Sequence, residues 1–235
     1  MNEVKTIINP EQETMEQIAK ENFSKWNDQL LSGKAEKVAS LYTEKNTFLP
    51  TVSGDFKRGK DGAKEYFKHF LEKNPEGEII EGKVDVISAD CYVHSGKYNF
   101  TVDAEEGRAV VEAEFSYVWK KNEAGEWEVD HHHSSARNDE KKFELENGFR
   151  LDVKLSGNPE EDNEQAYFAK YFSENNIGVI SEDAVQKLSD NSYLHSGMYN
   201  LSDGREARFT ITWKKDDSGE WEIIQHHLSM RPSHE

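Results

Sequence analysis

Val93–Asn99 reads VHSGKYN and Leu194–Asn200 reads LHSGMYN, identical at five of seven positions. The likeness continues in both directions. Trp119–Val129 (WKKNEAGEWEV) returns as Trp213–Ile223 (WKKDDSGEWEI) with seven of eleven identical, and His131–Arg137 (HHHSSAR) returns as Gln225–Arg231 (QHHLSMR). Upstream, Glu65–Asn74 (EYFKHFLEKN) matches Ala166–Asn175 (AYFAKYFSEN). The offset is 101 through the HSG tract and 94 from the Trp tract onward, so the second copy is seven residues shorter between them. A shortened hairpin absorbs such a change without disturbing its neighbours. Two copies in the same order are too few for a solenoid and indicate two tandem units, 1–138 and 139–235.

The copies are unequal. Thr14–Leu31 carries apolar or amphipathic residues at Met15, Ile18, Phe23, Trp26, Leu30 and Leu31, the spacing of a helix, and Gly33 stops it before a second short helix, Ala35–Tyr42. The second copy has only Asp139–Ala166 in that place, and Lys141–Leu155 alternates as a strand does, so the second unit is expected to lack its N-terminal helices. Val84–Ile87, Cys91–Val102, Ala109–Lys120 and Trp127–Ser134 alternate apolar with polar between turn signals. Each unit therefore reads as helices followed by an antiparallel meander, an α+β fold with helices on one face of a sheet.

Composition bounds the partners. The 235 residues carry 29 bases and 46 acids, a net charge of −17, and the excess divides evenly: 18 bases and 26 acids precede Asn138, with 11 and 20 from there on. Phosphate binding needs a basic face, so neither nucleic acid nor an anionic membrane is expected as a partner. Aromatic residues make up 11%, which a disordered acidic chain lacks. The single Cys91 allows no intrachain disulfide and no cysteine metal cluster. Met1–Pro10 has no signal-peptide pattern and no long apolar run follows, so a cytoplasmic protein is expected.

The first unit is recognisable by PheLeuProThrValSer (48–53), TyrPheLysHisPheLeu (66–71), HisSerGlyLysTyrAsnPhe (94–100), and TyrValTrp (117–119) leading to GluTrpGluValAspHisHisHisSerSer (126–135). These tracts resemble the SgcJ/EcaC-type proteins, grouped with the association domain of calcium/calmodulin-dependent kinase II in the nuclear transport factor 2-like (SnoaL-like) superfamily. The resemblance covers Met15–Asn138, and Phe143–Pro232 more weakly. It implies a cone: a strongly curved sheet wrapped round a long helix, with a pocket at the wide end. Members use the cone as an enzyme site, a ligand pocket or a scaffold, and commonly dimerise through their sheets, so fold does not settle function. Two tandem copies could form that pair within one chain.

Several residues are candidates for the chemistry. Strand alternation places Trp127, Val129, His131 and His133 on one face, read as facing the pocket. His131 and His133, with Tyr98 as hydrogen-bond donor, are the acid/base candidates; structural histidines are the competing reading. A zinc site needs three or four ligands; even with His94 added the set is marginal, and the second copy has Gln225 in the first place, so no metal or cofactor is expected. His94, Gly96, Tyr98 and Phe100 share a face, read as architectural: a glycine that lets the sheet bend and a histidine that caps a buried group. Trp26, Tyr42, Tyr66, Tyr98, Tyr117 and Trp119 are the expected aromatic lining, with core packing as the plainer alternative. Asp85, Glu112, Glu114 and Asp130 lie on strands, mostly on the polar phase, and none stands out as a general base. In the superfamily inward arginines bind carboxylates; Arg58 is the candidate here, while the kinase association domain's arginine before the strand Trp is replaced by Tyr117 and Ile211.

The expected function is small-molecule binding without catalysis in the first unit, with the second unit as a dimer-like partner through sheet faces. An isomerase, cyclase or hydratase acting on a small apolar or polyketide-like substrate is the alternative, and an oligomerisation scaffold the third.

Overall fold

The computed structural model describes residues 10–137, 154–155, 159, 164–174 and 177–232. Helix α1 (Pro10–Leu31) turns Met15, Ala19, Asn22, Phe23, Trp26 and Leu30 to the interior, the three-to-four-residue rhythm of a one-faced helix. At 1.5 Å per residue its 22 residues run about 33 Å, long enough to fill a cone. Gly33 ends it at φ +64°, its N–H bonded to the Leu30 carbonyl at 3.0 Å. Helix α2 (Ala35–Ala39) follows. Tyr42 is not its last residue, as the apolar spacing suggested, but the first of strand β1 (Tyr42–Leu49).

β2 (Lys57–Arg58) and α3 (Gly59–Phe70) lead into the meander β3 (Glu76–Ser88), β4 (Cys91–Ala104), β5 (Gly107–Lys121) and β6 (Trp127–Ala136). The first sheet runs β2-β1-β6-β5-β4-β3, antiparallel except for the parallel pair β1–β6. The second begins at β7 (Lys154–Leu155), continues through α4 (Glu164–Glu174), β8 (Val179–Ser189), β9 (Ser192–Asn200), β10 (Glu206–Lys215) and β11 (Trp221–Met230), and has the order β7-β11-β10-β9-β8. The fold is α+β, two cone-type sheets packed on helices. Most of the strand expected at Lys141–Leu155, the division at 138/139 and the segment replacing the N-terminal helices lie outside the described residues. No helix among the described residues is long and apolar enough to cross a membrane.

Each sheet has its own core. The first closes on Trp26, Tyr42, Phe48, Phe67, Phe100, Tyr117 and Trp119; the second on Phe168, Tyr171, Phe172, Trp213 and Trp221 against α4. The sheets then meet through their outer faces. Val93 and Val118 pack on Leu188 and Leu194 at one side, and Leu49 and Phe56 pack on Met198 at another.

The repeated HSG tract has a steric cause. A Cβ at Gly96 would stand 2.0 Å from the Glu81 carbonyl oxygen, and one at Gly197 would stand 2.1 Å from that of Glu182. In both sheets the opposing strand bulges at this point, between Ile79 and Glu81 and between Ile180 and Glu182. The backbone of the bulge occupies the space a side chain would need. Gly197→Ala is therefore expected to lower stability by about 1–3 kcal/mol, read as a lower urea midpoint with unchanged m-value, whereas Gly204→Ala meets open space and keeps only the cost of its positive φ. Equal midpoints for Gly197→Ala and the parent chain would refute the steric reading.

Candidate functional site

The histidine run does not alternate as a regular strand would. Trp119 opposes Val129 but Val118 opposes His131, so Asp130 is an extra residue in β6. The bulge reverses the phase beyond it. Val129 faces the cone interior; His131, His133 and Ser135 then face out, and His132 and Ser134 face in. The placement of His131 and His133 in the pocket is thus corrected: one inserted residue sends them to the opposite face. β11 repeats the device, with Ile224 as the extra residue between the Trp213–Ile223 and Thr212–Gln225 pairs.

Inside the cone the central group is His132, which the alternation had assigned outward. Its neighbours on both flanking strands stack on it, Phe48 at 4.8 Å and Tyr117 at 4.0 Å between centroids. Trp26 Nε1–H donates to the Tyr42 hydroxyl at 3.2 Å, so that hydroxyl keeps its own proton for His132 Nδ1 at 2.9 Å. The ring proton then sits on Nε2, facing the Tyr98 hydroxyl at 3.4 Å, and Tyr98 donates onward to Ser134, which contacts Thr51. Tyr66 joins this group through Thr51. Trp26, Tyr42, Tyr98, Tyr117 and His132 are all at most 2% exposed. The expected lining residues have come together, but as a packed core.

His94 and Trp119 complete the inner face. His94 lies edge-on to Phe115 at 5.0 Å and makes no hydrogen bond among the described residues, its Nδ1 being buried, so it caps no buried group there, contrary to what its motif suggested. Its counterpart His195 instead holds Asp183 through Nε2 at 2.7 Å, where the first unit has Gly82. Arg58 is exposed, stacked on Phe56 and bonded to Glu182 and the Asp183 carbonyl at 3.4 and 3.0 Å. It belongs to the contact between the units, not to a pocket, because β2 sits at the outer edge of the sheet. The three acid/base candidates are likewise separated, with Tyr98 inside and His131 and His133 across the sheet. A metal on His94, His131 and His133 meets the same obstacle.

Outside, the two sheets are joined by a polar layer whose hydrogen bonds have one consistent direction. Arg208 Nε–H donates to Ser229 Oγ at 2.9 Å, leaving the serine proton for His133 Nε2 at 2.9 Å. His133 Nδ1–H then donates to Thr210 at 3.0 Å, Thr210 donates to His131 Nε2 at 2.9 Å, and His131 Nδ1–H donates to Thr47 at 2.7 Å. Thr47 donates to Gln186 Oε1 at 2.8 Å, and Gln186 reaches Asp130 Oδ2 at 3.3 Å, where Lys120 also pairs at 2.8 Å. Every hydroxyl and ring donates once.

The contact is also reciprocal under the repeat offset of 94. His133 bonds Thr210 and Ser229; His227 bonds the counterparts Ser116 at 3.2 Å and Ser135 at 2.8 Å. His131 meets Thr210 as Gln225 meets Ser116 at 2.7 Å. His133 and His227 stack on each other at 3.7 Å, 13° from parallel. Arg208 breaks the symmetry: fully buried where the first unit has Glu114, it reaches the Pro50, Ser53 and Ser134 carbonyls. Thr210, Ser229 and Arg208 were missed from sequence because the face a residue presents shows only once the bulges are placed.

Burial sets the protonation states. It pushes His131 down to about 3 and His94 down to about 4, and holds His132 and His133 well below the usual histidine range, with the neighbouring histidines, and for His133 also the Arg208 charge, adding to the effect. Tyr42, Tyr98 and Tyr117 are pushed up by the same desolvation. Arg208 falls to about 9 through burial and stays charged at neutral pH. Histidines and tyrosines alike move away from neutrality, whereas a general acid or base is tuned toward it.

An unfolded histidine titrates near 6.5 while these stay neutral in the fold, so below pH 6.5 the unfolded chain binds more protons. Stability present above pH 6.5 is lost as pH falls toward about 3, by up to about 1.4 kcal/mol per pH unit for each histidine. The urea midpoint is expected to drop steeply below pH 6. His131→Gln, which copies the second unit's Gln225, is expected to flatten that drop; an unchanged slope would refute the assignment.

The family model for the calcium/calmodulin dependent protein kinase II association domain matches residues 15–138. A crystal structure assigned to that domain, from Xanthomonas campestris, is 32% identical at a TM-score of 0.52, covering 59% of this chain and 99% of its own. A nuclear transport factor 2-like protein with a cystatin-like fold from Novosphingobium aromaticivorans (12% identity, TM-score 0.44, 51% and 79% covered) and a cystatin-like domain of unknown function from Nostoc punctiforme (15%, 0.45, 60% and 87%) are more distant. No curated protein sequence matches the chain. The matched residues are just over half of the 235, and they include most of α1, the meander and the histidine run: the chain belongs to the calcium/calmodulin dependent protein kinase II association domain family.

Proposed function

We propose that the chain is a self-paired association module, in which the second unit takes the place a second copy would take on the outer sheet face of the first. The observation that carries this is the reciprocity of the polar layer: His133 to Thr210 and Ser229, and His227 to Ser116 and Ser135, around one stacked histidine pair. In a two-fold interface residue i meets j while j meets i, and here the repeat offset supplies the operator. Pairing within one chain removes the entropic cost of bringing two molecules together. Light scattering on the full chain is expected to give the mass of one chain, 27.1 kDa, at all concentrations. A dimer or larger ring that persists on dilution would overturn the proposal.

A small-molecule reading of the first cone has one observation in its favour. His94 Nδ1, the Tyr117 hydroxyl and Trp119 Nε1 are buried on the inner face without a hydrogen-bond partner among the described residues, and buried polar atoms are nearly always bonded. A ligand group bonded there is expected to raise Tm in a metabolite screen, and Tyr117→Phe to remove that rise while leaving Tm of the free chain within a few degrees. Loss of no thermal shift in Tyr117→Phe would set this reading aside.

A further inference from the structure

The two flanks of the contact between the sheets differ. On one, Lys120 Nζ pairs with Asp130 at 2.8 Å and donates to the Lys187 carbonyl at 3.1 Å, and Gln186 closes the seam onto Asp130. On the other, the repeat puts Lys214 where Lys120 stands, Ile224 where Asp130 stands and Asp85 where Gln186 stands. Lys214 has lost its acid. It is exposed, and among the described residues it makes no ion pair.

At this flank the seam is open. A cavity of about 880 Å³ lies between the start of α1, the end of β3 and the β10–β11 pair, walled by Met15, Ile18, Val84, Val86, Ile87 and Ile224. Three charged groups face it: Glu11 from α1, Asp85 from β3 and Lys214 from β10. Asp85 is met by Lys83 Nζ at 2.7 Å through Oδ1, while its Oδ2 is buried with no hydrogen-bond partner among the described residues, and Glu11 is exposed with a partner of its own; Lys214 is the one cation among the described residues that line the cavity. Volumes of 300–1,000 Å³ with an apolar wall and a few polar anchors suit small molecules.

We infer that this cavity binds an apolar molecule ending in a carboxylate, its hydrocarbon part against Met15, Val84 and Ile87 and its carboxylate on Lys214 Nζ. The site depends on the two sheets meeting within one chain, which the light-scattering mass reports separately from binding. Decanoate titrated calorimetrically into the full chain is expected to bind saturably at one site. Lys214→Gln, at an exposed position that leaves Tm unchanged, is expected to weaken binding about fivefold, the strength of a partly exposed ion pair. Ile224→Asp restores the Lys–Asp pair of the opposite flank and is expected to abolish it. Absence of saturable decanoate binding in a chain of monomeric mass, equal affinity in Lys214→Gln, or tighter binding of decylamine than of decanoate would each overturn the assignment.

Discussion

A single run of hydrogen bonds, from the Arg208 guanidinium through Ser229, His133, Thr210, His131 and Thr47 to Gln186, ties the two halves of this protein together. The guanidinium at one end can only donate and the Gln186 amide oxygen at the other only accept, its amide nitrogen being committed to Asp130, so every proton between them has one place to be. Adding a proton to either histidine would set two donors against each other in a region without bulk water. That requirement, together with desolvation, keeps the histidines neutral and makes the contact intolerant of substitutions that would suit an apolar interface. The apolar clusters at Val93–Leu194 and Leu49–Met198 supply attraction at the sides of the layer; the polar layer sets its register.

The run exists because Asp130 and Ile224 are extra residues. Without the bulge in β6, His131 and His133 would point at Trp26 and the core, and His132 would be outside. With it, one tract of three histidines serves two environments. His132 finds stacked rings and tyrosine hydroxyls, while its neighbours find serines and threonines from the other sheet. Asp130 is also useful in itself, since the residue expelled from the ladder is free to pair with Lys120 and accept from Gln186. Ile224 cannot, and the opposite flank opens.

The interior of the first cone is built like a core. Ring centroids lie 4.0–6.5 Å apart throughout, and the hydroxyls of Tyr42, Tyr98, Ser134 and Thr51 form a chain through His132. The aromatic residues that would line a pocket in an open cone therefore contribute packing and mutual hydrogen bonds, which is why their presence in the sequence did not by itself distinguish pocket from core.

Much of the architecture was legible without coordinates. The repeat, the helical rhythm from Met15 to Leu30 and the alternation of the meander strands depend on local periodicity, which chain geometry translates directly into helix and strand. HSG was legible as a motif although its reason, the approach of the Glu81 and Glu182 carbonyls, was not. The faces of His131, His132 and His133 were out of reach, because a one-residue bulge leaves no periodic trace and reverses every side chain beyond it. The outward role of Arg58 and the partners Thr210, Ser229 and Arg208 depended on how two sheets separated by many residues meet. Local patterns are determined by neighbours along the chain; the contents of the polar layer are determined by neighbours across it, and only the tertiary structure brings those together.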